Sequence, residues 1–156
     1  EPRLDRLWSR VRRDYPVAVV RDAEHALRRY AGHPRVRYHR FLVLPRIGTR
    51  PLAWAVFRTD DGVCRLVDLL WERAHPGALE LVSWLSSRIA ADTGCASELA
   101  WLNGDPEGTA RFETWGWTAT PQRDRLSFVC RSFDAELHTH AFDHRVYVTP
   151  GDSDLV

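Results

Sequence analysis

Between residues 64 and 102 the hydrophobic period changes twice, and this narrows the folds open to the chain more than any other feature. "CRLVDLLW" (64–71) is a short apolar run, rich in β-formers, with one aspartate inside it. After the polar stretch "ERAHP", residues Ala78, Leu81, Val82, Leu85 and Ile89 fall at helical spacing, and Gly94 offers a C-terminal cap. Ser97–Leu102 then returns to a strand pattern. A strand, a long helix and a second strand predict a parallel pair with the helix laid across one face of the sheet. Ligands of such sheets bind beyond the carboxyl ends of the strands. That places the strand-to-helix turn at residues 72–77 at the expected cleft.

The flanking segments extend this core. Leu4, Leu7, Trp8 and Val11 mark an amphipathic helix that stops before Pro16. Asp22 is suited to cap a second helix, with Ala23, Ala26, Leu27 and Tyr30 as its apolar stripe up to Gly32 and Pro34. Tyr38–Leu44 and Leu52–Arg58 read as strands joined by the turn "PRIGTRP", and "DDG" leads into the third strand. Asp105-Pro106 predicts a capped helix ending at Gly116, and Leu126–Phe133 and Arg145–Thr149 read as closing strands joined by a polar loop. The expected fold class is therefore α/β (α+β): a mixed, mostly antiparallel sheet with a central parallel strand pair and helices on both faces.

Length and composition set outer limits. The 156 residues fit one domain, and 44% hydrophobic content with seven tryptophans lies far from the composition of disordered chains. A net charge of +1 provides no broad field for gripping nucleic acid or an anionic membrane, and no run of apolar residues approaches the length of a membrane span. The first residues lack the charged and apolar regions of a signal peptide, so a soluble cytoplasmic location is expected. The chain opens without methionine, which leaves open that it is a piece of a longer protein. The three cysteines, Cys64, Cys95 and Cys130, are isolated and read as buried thiols. His138, His140 and His144 match no zinc spacing, and no metal is expected.

The turn Arg73-Ala74-His75-Pro76-Gly77-Ala78, together with the element order, resembles the GNAT superfamily of acyl-CoA-dependent N-acyltransferases, whose members read R/Q-x-x-G-x-G/A here. Arg73 and Ala78 match, whereas Pro76 stands in place of the first glycine and removes one amide donor. "RDAEHALRRYAGHPRVRY" and "VYVTPGDSDLV" are similar to segments in the second half of long bacterial GNAT-like proteins, some associated with polysaccharide or cell-surface pathways. The likeness spans nearly the whole chain. It implies a single GNAT-like domain over 1–156, standing alone or as one half of a tandem protein, with an N-terminal GNAT-like half or a second copy as partner.

The resemblance also implies a chemistry: acyl transfer from acetyl-CoA or another acyl-CoA to an amine acceptor such as an amino sugar. Leu70, Trp71, Arg73, His75, Gly77, Ala78 and Asp105 are the cofactor-binding candidates, because free amides at a helix N-terminus attract a pyrophosphate. The amine must lose a proton before it attacks the thioester, and strand alternation puts Asp68 on one face with Leu66, Leu70 and Glu72, making Asp68 and Glu72 the candidate bases. An ion pair between Asp68 and one of the many arginines is the competing reading. Phe112 occupies the place of a tyrosine that protonates the leaving thiolate in many members. Pro76 and Phe112 together open a rival function, that of a degenerate, non-catalytic GNAT half that binds a substrate or partner or stabilises its neighbour.

Overall fold

The computed structural model describes residues 2–15, 17–33, 35–120 and 146–150. The period changes in the sequence become elements with few adjustments. Helix α1 (Pro2–Val11) buries Leu4, Leu7 and Val11 and runs into a 3-10 turn, Arg12–Asp14. Strand β1 is the two-residue Val17–Ala18. Helix α2 (Ala23–Ala26) is capped by Asp22, whose side chain accepts the His25 amide at 2.8 Å, and widens into a π-helical turn, Leu27–Ala31. Strands β2 (Tyr38–Val43), β3 (Ala53–Asp60) and β4 (Val63–Trp71) follow, then α3 (Pro76–Thr93), β5 (Ser97–Ala100), α4 (Pro106–Thr114) and β6 (Val146–Tyr147).

Four strands form one mixed sheet in the order β2-β3-β4-β5. The first two pairings are antiparallel, and β4 runs parallel to β5, as the strand-helix-strand pattern requires. The arrangement fits a GNAT-like α/β fold, with helices on both faces. On one face Leu79, Val82 and Ile89 of α3 and Phe112 of α4 pack on Ala55, Phe57, Leu66, Leu69 and Trp71. On the other, α1, Tyr15, Ala26 and Tyr30 pack on Trp54, Val56, Val67 and Leu70. Among the described residues no helix is long and apolar enough to cross a membrane.

Three departures from the sequence reading bear on the site. First, β4 carries a bulge. Val56 pairs with Asp68 and Phe57 with Leu66, leaving Val67 as the extra residue. The bulge shifts the alternation, so Leu66 faces α3 while Val67 and Leu70 face α1. Asp68, whose carboxylate meets Trp54 of the α1 side, therefore shares a face with Leu70 but not with Leu66.

Second, β5 pairs with β4 only over Val63–Leu66 and ends at Ala100, two residues short of the expected strand, so the two strands part beyond Leu66. Third, β6 pairs in parallel with β1, a strand the sequence reading did not assign, to form a separate two-stranded sheet. The expected strand at 126–133 lies outside the described residues.

The second apolar stripe also differs from expectation. Ala26 and Tyr30 are buried but Leu27 is 57% exposed, because the change to π-type bonding shifts the phase of the turn. Trp84 is likewise 57% exposed on the outer side of α3. Cys64 is buried, and burial pushes its thiol up to about 11. Cys95 is half-buried, and Cys130 lies outside the described residues.

Candidate functional site

Once β5 turns away, the β4 backbone from Val67 to Trp71 has no strand on that side, and a wedge opens beside it. Here the chain's own residues fill it. Tyr147 of β6 donates its hydroxyl to the Leu69 carbonyl at 2.8 Å. The Trp71 amide donates to the Tyr15 hydroxyl at 3.2 Å, and that hydroxyl lies 3.5 Å from the Trp71 carbonyl. The two rings meet at 4.5 Å between centroids, and both are buried. Burial raises the pKa of each phenol, so both remain protonated donors.

The tyrosine segment is held on its far side by the chain that leaves β5. Val148 donates its amide to the Asn103 carbonyl at 3.2 Å. Gly104, with φ +79°, lets the backbones approach so closely that a Cβ there would lie 2.3 Å from the Val146 carbonyl oxygen. Only glycine fits this contact.

Two arginine–aspartate pairs, one buried and one partly buried, flank the tyrosines. In the first, Arg21 Nε donates to Asp68 Oδ1 at 2.7 Å, with both side chains almost fully buried. Arg21 also donates to the Val19 carbonyl at 3.0 Å and to Thr149 Oγ1 at 3.2 Å, and its guanidinium lies 5.0 Å from the Tyr147 ring centroid. The Asp68 carboxylate further accepts Trp54 Nε1 at 3.2 Å and the Leu69 amide at 3.0 Å. Both oxygens of Asp68 accept hydrogen bonds, and its 1% exposure leaves no open approach for an amine or a water. This is the ion-pair alternative of the sequence reading.

In the second pair, Arg73 Nη1 donates to Asp105 Oδ1 at 2.6 Å. The same oxygen caps α4 by accepting the Gly108 amide at 2.8 Å, and Oδ2 accepts Trp71 Nε1 at 2.9 Å. Arg73 stacks over the Trp71 ring at 4.2 Å and lies 5.1 Å from the centroid of Tyr15. The structure thus brings together three of the expected cofactor-binding residues, Trp71, Arg73 and Asp105, and binds them to one another. The other proposed base lies elsewhere. Glu72 pairs with Arg50 of the β2–β3 connection and lies 3.7 Å from Arg10 of α1, and its amide donates to Leu52, toward β3 and away from the wedge.

At the helix mouth, His75 and Gly77 are exposed, Ala78 is buried, and Leu70 lies in the α1-side core. Pro76 is the first helical residue and carries no N–H, and the Ala78 amide donates to the His75 carbonyl at 2.9 Å. Among the described residues the amides of Ala74 and Gly77 have no acceptor. Two donors thus remain for an anion, beside an arginine already paired. Phe112 is buried between Trp115 and Trp117, and the half-buried Trp117 donates to Ser83 Oγ at 2.8 Å. Among the described residues no three His, Cys, Asp or Glu side chains converge to hold a metal, and His138, His140 and His144 lie outside them.

The sequence reading missed Arg21, Tyr15 and Tyr147. A tyrosine inside an apolar strand needs an acceptor, and this was the available signal for Tyr147 in "RVYV". Compared with protein-family models and with curated proteins, the chain matches none.

Proposed function

We propose that this chain is a GNAT-like acyltransferase-fold domain that has given up its own acyl-CoA slot. It serves as the binding or structural half of a larger assembly, with a GNAT-like partner half or a second copy as its neighbour, in the bacterial cytoplasm. The observation that carries the reading is the Tyr147 hydroxyl on the Leu69 carbonyl, inside the wedge beside the carboxyl-terminal half of β4, near the end of the strand beyond which ligands of such sheets bind. The closed Asp68–Arg21 and Asp105–Arg73 pairs agree with it, because they remove the base and the pyrophosphate arginine from reach. Pro76 and Phe112 point the same way.

A second reading keeps the chain as a working N-acyltransferase that uses acetyl-CoA or another acyl-CoA to acylate an amine or amino-sugar acceptor. It is favoured by the exposed turn in which the free amides of Ala74 and Gly77 sit beside Arg73. The test is release of the coenzyme A thiol from acetyl-CoA in the presence of a panel of amines and amino sugars. The first reading expects no release above the buffer rate with any acceptor. Release that saturates in both substrates would establish the second.

A further inference from the structure

Two strands away from the wedge, the β2 edge of the sheet carries a hollow of about 210 Å3. Its floor is one face of neighbouring strands: Leu42 pairs across from Trp54, and Arg40 lies two residues along β2 on the same side. Leu4 of α1 and Ala26 and Leu27 of the second helix form the walls. Leu27 stands at the rim because the π-type turn carries it outward, and π turns occur often at functional sites.

The polar content of this hollow is one-sided. Its single charged lining residue, Arg40, is exposed and has no ion pair or hydrogen bond among the described residues. The neighbouring charges are already engaged: Asp5 accepts the Ala23 amide, Glu24 faces Arg28, and Arg58 pairs with Asp60. A recess walled mainly by apolar side chains, with one free guanidinium at its edge, has the makeup of a small-ligand site, where shape supplies contact area and one polar group fixes orientation. A guanidinium presents two parallel N–H groups that match a carboxylate. Roughly 150 Å3 of apolar space accommodates a benzene ring, so this hollow has room for a ring or a short chain bearing one carboxylate.

We propose that the hollow bounded by Leu4, Ala26, Leu27, Leu42 and Trp54 binds a small carboxylate with an apolar body, its carboxylate paired with Arg40. The site is independent of the wedge and of the proposed role of the domain. Two-dimensional amide NMR of the intact chain, titrated with benzoate, hexanoate and the neutral analogue benzyl alcohol, tests it. Benzoate is expected to shift amides of α1, α2 and β2 saturably, with a dissociation constant on the order of 1 mM, as suits so small a ligand. Arg40→Ala, a change at an exposed position, is expected to weaken benzoate about tenfold and to leave benzyl alcohol unchanged. Ala23→Phe, which fills the recess from the first turn of α2, is expected to abolish both. Absence of saturable shifts in the wild type would overturn the proposal. So would benzoate affinity unaffected by either substitution, or benzyl alcohol binding as tightly as benzoate.

Discussion

Arg21→Ala is expected to lower stability by about 3–5 kcal/mol, because it leaves the Asp68 carboxylate buried without its counter-charge. For a domain of this size that corresponds to a fall in Tm of roughly 10–15 °C. Asp68 would keep the Trp54 and Leu69 donors, but neither carries charge. Removing both partners, in Arg21→Met with Asp68→Leu, is expected to be less damaging than the two single changes added together, since no uncompensated charge remains. It should still fall about 2 kcal/mol short of the wild type, because Trp54 Nε1 and the Leu69 amide lose their acceptor. Arg50→Ala provides the contrast. That guanidinium pairs with Glu72 while 53% exposed, and its loss should change stability by less than about 1 kcal/mol. Urea denaturation followed by far-ultraviolet circular dichroism measures each of these variants and the two single changes. A loss under 1 kcal/mol for Arg21→Ala would mean that water reaches Asp68, and would restore it as a candidate base.

The second large effect is expected at Asp105. Asp105→Ala removes the cap of α4, strands Trp71 Nε1 in the core and frees Arg73 from its partner, for a combined cost of about 3 kcal/mol. Arg73→Ala leaves the buried Asp105 carboxylate with the Gly108 and Trp71 donors but without its counter-charge, so it should cost a similar amount, about 3 kcal/mol. Asp105→Asn is not a conservative change. Both carboxylate oxygens accept, from Gly108 and Arg73 on one side and Trp71 on the other, so an amide NH2 would face a donor whichever way it turned. It should therefore lose about 2 kcal/mol. The thermal midpoints of the three variants rank the effects, and Asp105→Asn melting with the wild type would show that the carboxylate is not buried as a triple acceptor.

The sequence was most informative where one segment determines its own structure. Asp22, Asp105, Pro106 and Gly94 mark helix ends by local chemistry: the two aspartates and Gly94 cap, and Pro106 takes the first helical position, as expected. The parallel pairing of β4 and β5 follows from the period change between residues 64 and 102. The bulge did not show, because "LVDLLW" is apolar in both phases and contains no glycine to mark an extra residue. One displaced residue was enough to change the neighbours of Asp68. The β1–β6 pairing did not show either, since two-residue strands have no period to read. Nothing local singles out Arg21 among so many arginines, or shows that Arg73 and Asp105, each read as a cofactor contact, lie within hydrogen-bond distance of each other. These are long-range facts, set by how β4, α4 and the 146–149 segment pack around one wedge.

The central claim is that this wedge belongs to the chain's own tyrosines and not to an acyl-CoA. Isothermal titration of the intact chain with acetyl-CoA tests it most directly, with Arg73→Ala and Pro76→Gly measured alongside. The account predicts no saturable heat for the wild type or Arg73→Ala, and at most weak affinity for Pro76→Gly, where the restored amide adds one donor at the helix mouth. Saturable binding by the wild type that Arg73→Ala weakens would contradict it, because the cofactor would then have to displace Tyr147 from β4 and Arg73 from Asp105.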